Sequence, residues 1–235
     1  RCNPSSGNLH PTEGYLISPA LPELAAGVYH YQPEQHYLER RAAAPLSWSG
    51  GVLVALTGIH WREAWKYGMR AFRYCQHDCG HALAAFGYAA AALGWPVQLL
   101  TTWGDAQIAA LTGTDREVDF LATEREVPEA LLWIGPGEPP GVQTVLDPLA
   151  CATWSGQANT LSPAHRDWPD IARVAAATLG PGDLPLVTWT PPSLPAREPV
   201  SAEIASGLIR HRRSAQAFDG ATGLSAPAFF RLLDA

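Results

Sequence analysis

From His81 to Leu93 the chain reads His-Ala-Leu-Ala-Ala-Phe-Gly-Tyr-Ala-Ala-Ala-Ala-Leu, without one Asp, Glu, Lys or Arg. Alanine and leucine favour a helix here, and Gly94 followed by Pro96 stops it. Such a helix has no solvated face, so it must be buried on all sides, or buried on one side and covered by a partner on the other. The apolar run from Ala82 to Trp95 is too short to span a bilayer. A layered globular fold is the remaining solution.

Composition agrees. Hydrophobic residues make up 47% of the 235 and charged residues 16%, enough for a sizeable core. Glycine and proline number 21 each, which points to many turns rather than a helical bundle. The net charge of −6 and the absence of a basic stripe argue against a nucleic-acid surface. No signal peptide or membrane segment is visible, and the chain, opening at Arg1, reads as a fragment. Four cysteines make no secreted scaffold, so a cytoplasmic location is expected.

Strands are expected at Gly14 to Ile17, Gly27 to Tyr31, Gly51 to Thr57, Val97 to Thr102 and Ala130 to Ile134, with a polar segment through Arg41. Helices are expected from His60 to Cys75, His81 to Leu93, Ala106 to Leu111, Trp168 to Leu179 and Glu203 to Arg210. Gly80 makes one continuous helix through the first two doubtful. The mixture lacks a strict strand–helix–strand rhythm and predicts an α+β fold. From Pro139 the texture changes, and the segment 181–200 is a stiff proline-rich linker.

Two segments carry chemistry. Pro4-Ser5-Ser6-Gly7-Asn8-Leu9-His10-Pro11 is a polar loop bracketed by prolines. Gly7 lets a ligand approach the main chain, and Ser5, Ser6 and Asn8 offer hydrogen bonds. An ordinary turn has the same composition. Farther on, Trp65-Lys66-Tyr67-Gly68 precedes Arg70 and Arg73; on one continuous helix Lys66, Arg70 and Arg73 share a face. The run Cys75-Gln76-His77-Asp78-Cys79-Gly80-His81 invites a zinc reading, but ligands two apart on a helix diverge, and no metal site is assigned. Asp78 and His81 are read as helix-terminus and packing residues, and Glu129 and Gly135 receive no catalytic role. His10 is either a ligand donor or a turn residue.

The Pro-Ser-Ser-Gly-Asn loop, the Trp65-Lys66-Tyr67-Gly68-x-Arg70 run, Asp78-x-Gly80-His81 and the alanine-rich helix together resemble the SagB/ThcOx-type dehydrogenases of the nitroreductase-fold FMN enzymes, over most of residues 1–137. Arg212-Arg213-Ser214-x-x-x-Phe218 resembles the motif that opens a nitroreductase-like domain and contacts the FMN phosphate and ribityl chain, with Gln216 where arginine is usual. An opening motif behind the loop implies a tandem protein. Residues 1–180 would be a first unit lacking its start, 181–200 the linker, and 201–235 the beginning of a second unit.

The resemblance implies a central, mostly antiparallel sheet flanked by helices, within an intramolecular pseudo-dimer or a homodimer that carries FMN between units. It implies Lys66 and Tyr67 as the catalytic pair. It implies flavin contacts from Arg1, Pro4, Ser5, Ser6, Gly7, Asn8, Arg212, Arg213 and Ser214. The flavin carries the hydride chemistry while the protein positions it, and a lysine in a partly apolar pocket beside other cations would act as a base. The substrate would be a small molecule or a modified peptide such as an azoline. A nicotinamide-dependent nitroreductase-type reductase and a degenerate, non-catalytic binding domain are the alternatives.

Overall fold

The computed structural model describes residues 3–121, 123–164, 166–182 and 202–233. Contacts divide the chain into two compact units, Arg1–Leu186 and Val187–Ala235. Arg1 and nearly all of the proline-rich segment 181–200 lie outside the described residues.

The first unit is built on a sheet of strands β1 (Thr12–Ser18), β2 (Gly27–Gln32), β3 (Tyr37–Ala43), β4 (Val52–Gly58), β5 (Val97–Leu99), β6 (Val127–Ile134) and β7 (Thr153–Trp154). Their order is β5-β6-β4-β1-β2-β3-β7, and every described pairing is antiparallel. The helices are α1 (His60–Tyr67), α2 (Ala71–Leu93), α3 (Asp105–Thr112), α4 (Val142–Ala150) and α5 (Pro169–Ala177). The α+β architecture expected from the sequence is the one found.

Strand alternation divides the core into two layers. Leu53, Ala55, Leu131 and Trp133 point to one face, where they join Leu111 of α3 and Val145 and Leu149 of α4. Leu56 and Ala130 point to the other, against Cys79 and Ala82 of α2. A third, smaller cluster of Ala64, Ala71 and Ile171, with Phe72 and Trp168 against it, ties α5 to the α1–α2 corner.

Several elements depart from the sequence reading. The polar stretch around Glu39 is strand β3, most of whose residues are exposed. Helix α4 forms despite Pro148 inside it, and β7 adds a short edge pairing at Ala42 and Ala43. The helical break falls at Gly68 rather than Gly80. Gly68 has φ 58 and ψ −137, and a Cβ there would lie 3.0 Å from the Trp168 ring. A Cβ at Gly80 would meet nothing within 4 Å, and α2 runs through it unbroken. Lys66 therefore does not share a helix with Arg70 and Arg73: Lys66 lies in the last turn of α1, Arg70 closes a 3-10 turn, and Arg73 lies on α2.

Burial of the alanine-rich helix on all sides is also excluded. Ala82 and Ala90 are buried, but Tyr88 and Leu93, with Trp95 just beyond, are more than half exposed. The second unit, taken by itself, has helices α6 (Ala202–His211) and α7 (Ala226–Leu233). No helix of the described residues is long and apolar enough to cross a membrane.

Candidate functional site

Strand pairing explains why the loop and the Lys-Tyr pair meet. Thr12 of β1 stands opposite Gly58 of β4, so the loop preceding β1 and the helix following β4 emerge at the same end of the sheet. The Ile59 N–H donates to the Pro11 carbonyl at 2.8 Å, and Arg62 Nη1 donates to the His10 carbonyl at 2.9 Å. Helix α1 is thereby fastened alongside the loop.

Gly7, Asn8 and His10 have φ values of 56, 61 and 51. Glycine adopts this region freely and asparagine with modest cost, whereas histidine needs support. The support is local. Asn8 N–H donates to the Ser5 carbonyl at 3.0 Å, His10 N–H to Ser5 Oγ at 2.8 Å, and His10 Nε2 pairs with Asn8 Oδ1 at 2.9 Å.

Asp78 anchors this loop to the body of the unit. It lies in the interior of α2 and is fully buried. Ser5 Oγ donates to Oδ2 at 2.5 Å and Ser6 Oγ to Oδ1 at 3.1 Å, while the Ser6 N–H donates to Oδ1 at 2.9 Å. A carboxylate accepting a main-chain N–H and two hydroxyls is a strong, charge-assisted clamp. The hydroxyls of Ser5 and Ser6 thus face inward, and Gly7 and Asn8 form the exposed rim. Asp78 is therefore the loop's anchor rather than a helix-terminus residue. The isolated acid facing a Ser-Ser pair was the available signal, but nothing local joins residues more than seventy positions apart.

Lys66 and Tyr67 converge on the rim. A methyl group built on Gly7 would lie 2.7 Å from Lys66 Nζ and closer still to the Tyr67 hydroxyl. Lys66 Nζ stands 5.3 Å from the Tyr67 ring centre, and Tyr74 packs edge-on against that ring at 4.7 Å. The Gly68 break and the Trp168 ring beneath it fix the end of α1 that presents the pair. Lys66 is exposed rather than pocketed, and its neighbours Trp65 and Met69 are more than half exposed apolar side chains.

One turn earlier on α1 sits a group the sequence reading did not single out. Glu63 is fully buried, and neither carboxylate oxygen has a hydrogen-bond partner. Burial first, and then the charge of Asp78, push its carboxyl up to about 7, with Lys66 pulling the other way. Nearby, burial and then the charge of Glu129 raise Cys79 to about 12, and burial likewise raises Cys75. These thiols are packing groups. Among the described residues no cluster of three or more His, Cys, Asp or Glu is arranged to hold a metal.

Arg62 also joins the loop to a second, partly buried network. It pairs with Glu13, whose carboxylate receives His30 Nε2 at 2.8 Å, while His30 Nδ1 reaches Glu39 at 2.9 Å. Burial opposes ionisation of Glu13, but the His30 hydrogen bond and the Arg62 charge hold its carboxyl below the usual range. Burial likewise opposes His30, and its two carboxylate partners outweigh it, raising the imidazole.

The structure thus brings Pro4, Ser5, Ser6, Gly7, Asn8, Lys66 and Tyr67 into one site. Arg212, Arg213 and Ser214 belong to the second unit, where all three are exposed and Arg213 donates to the carbonyls of His211 and Arg212 at 3.2 and 2.9 Å.

No family model matches the chain. No curated protein matches its sequence. Among solved structures it is similar to a nitroreductase candidate from Anabaena variabilis, with a TM-score of 0.62 and 22% identity over 94% of this chain and 48% of that one. It thus spans about half the length of that protein. The Escherichia coli microcin synthetase McbBCD with truncated pro-MccB17 bound matches at a TM-score of 0.49 and 21% identity, over 58% of this chain and 56% of that one. A nitroreductase candidate from Ralstonia eutropha matches at 0.46 and 19%, over 60% and 64% of the two chains. The fold is nitroreductase-like.

Proposed function

We propose that this chain is the flavin-binding part of an FMN-dependent oxidoreductase of the SagB/ThcOx type, acting on a small molecule or a peptide azoline. The observation that carries the reading is the convergence of Lys66 Nζ and the Tyr67 hydroxyl on Gly7, in a loop locked by Asp78.

The residues present fit a flavin. Without a side chain at Gly7, the Tyr67 hydroxyl and Lys66 Nζ close directly onto the main chain of the loop, and its left-handed conformation keeps larger residues unfavourable. The loop Pro4-Ser5-Ser6-Gly7-Asn8 would hold the ring edge and ribityl chain, with Ser5 and Ser6 acting through the Asp78 clamp and Asn8 from the rim. Arg1 would add a contact to the same cofactor, and Arg212, Arg213 and Ser214 would receive the phosphate and ribityl chain of a flavin at a second unit. When bound, FMN supplies the hydride acceptor.

The chain's own contribution is proton handling and placement. Dehydrogenation of an azoline to an azole turns a ring carbon–carbon single bond into a double bond, removing a hydride from one carbon and a proton from the other. Lys66 and Tyr67 stand side by side to take that proton, and Tyr74 holds the phenol ring in place. Exposed Trp65 and Met69 beside Lys66, with Tyr88, Leu93 and Trp95 at the α2 end, supply apolar surface for a second nitroreductase-like unit to cover, as an intramolecular pseudo-dimer or a homodimer.

Turnover of a peptide azoline tests the reading. Lys66→Ala and Tyr67→Phe should each lose most turnover while retaining FMN. Full turnover in both variants would remove the pair from the chemistry. Flavin reduction by NADH without an azoline substrate would instead place the protein among nicotinamide-dependent reductases.

A further inference from the structure

A separate cavity of about 330 Å³ lies between α2, β6 and the end of α5, near the start of α1. His60, Phe72, Gln76, Asp105, Glu129 and Leu179 are among its lining residues. His60 opens α1 and Lys66 and Tyr67 close it, so the cavity and the flavin-type site sit near opposite ends of one helix.

Two polar atoms in this cavity are unsatisfied. Glu129 Oε1 and His60 Nε2 are both buried and have no hydrogen-bond partner. They face each other at 3.7 Å, beyond hydrogen-bond range, on side chains only 4% and 12% exposed. Beyond this long ion-pair contact the buried carboxylate oxygen has no hydrogen-bond donor, which is costly and calls for one. Glu129 is held in place: Gln76 Nε2 donates to its Oε2 at 2.6 Å, and Gly58 leaves it room, since a Cβ there would lie 2.6 Å from Oε1.

The surroundings select the partner's charge. Asp105 contributes a second carboxylate, and no Lys or Arg lines the cavity. The Phe72 ring, which also meets the His60 ring at 5.5 Å, and the Leu179 side chain provide an aromatic and aliphatic wall. We propose that this cavity binds a small organic monocation, a primary ammonium carried on an apolar body. An ammonium has three donors and no acceptor. One N–H would reach Glu129 Oε1, a second His60 Nε2 with the ring proton on Nδ1, while the apolar body packs against Phe72 and Leu179. The proposal does not depend on the flavin reading.

Isothermal titration of the full chain with benzylammonium, benzyl alcohol and benzoate tests it. Benzylammonium should bind, and the neutral and anionic analogues should bind at least tenfold more weakly. Glu129→Gln, which keeps shape and removes the charge, should weaken benzylammonium at least tenfold. Leu179→Trp supplies an independent check, because Leu179 is more than half exposed and tolerates a larger group without disturbing the core. It should obstruct the cavity and abolish binding. No binding of benzylammonium to the unaltered chain, equal binding of benzyl alcohol, or unchanged affinity in both variants would overturn the proposal and leave a water-filled space.

Discussion

Asp78 Oδ1 accepts the main-chain N–H of Ser6 at 2.9 Å, across more than seventy residues of sequence. This bond, with the two serine hydroxyls on the same carboxylate, converts a flexible-looking Pro/Ser/Gly/Asn stretch into a fixed surface. Asp78→Asn removes the charge from all of these bonds at once. Unfolding in urea should show a loss of about 2 kcal/mol, the range for hydrogen bonds to a charged group. FMN affinity, followed by flavin fluorescence, should fall at least tenfold. Unchanged affinity would separate the clamp from ligand binding.

Gly7→Ala tests the rim. Its φ of 56 costs an alanine about 1 kcal/mol. The new methyl would meet the Tyr67 hydroxyl and Lys66 Nζ, both ends of side chains that can swing away. The expected result is a small stability loss with a large fall in turnover, read by comparing urea midpoints with steady-state rates. Normal turnover would show that the pair need not stand against Gly7.

Glu63 predicts a pH signature. Its carboxyl titrates near 7 in the folded chain and in the ordinary carboxylate range when unfolded. Below that ordinary range both states are protonated and the group costs nothing. As pH rises toward 7 the unfolded chain releases the proton first, so stability falls, and above about 7 the penalty is complete. Glu63→Gln lacks this term. It should match the parent at acid pH and exceed it by on the order of 2–3 kcal/mol at pH 8. Parallel stability curves across that span would place Glu63 in a solvated or paired setting instead.

His30 also makes stability fall as pH rises, through a favourable contribution that is lost rather than a penalty that is gained. Its two carboxylate partners raise its pKa, so its contribution is complete below the unfolded value near 6.5 and disappears as pH rises through the folded one. His30→Gln should therefore cost about 1–3 kcal/mol at pH 6, with Glu13 and Glu39 losing their shared cation, and progressively less in alkali. Equal cost at all pH values would mean that packing, not charge, is what His30 supplies.

Much of the architecture was legible because it was written in continuous apolar runs. Strands β4 and β6 and the alanine-rich part of α2 are of that kind. Strand β3 was not, because its outward residues are polar and pairing with β2, and at its end with β7, holds it in the sheet. The two glycines around the Lys-Tyr motif show a different limit. Gly68 and Gly80 look equally able to break a helix, and the choice is made by Trp168, a residue distant in sequence whose ring lies against Gly68. The candidate loop and the Lys66–Tyr67 pair were visible as motifs. Asp78 as clamp and Glu63 as buried acid were not, since both roles arise from long-range packing.

The most direct test of a flavin site at Gly7, Lys66 and Tyr67 is the visible absorption spectrum of the purified protein, followed by chromatography of any chromophore released on denaturation. A yellow protein that releases FMN, or a colourless one that takes up FMN and turns yellow, is the predicted result. A protein that stays colourless in excess FMN would contradict the account, leaving a nitroreductase-like scaffold that binds something else.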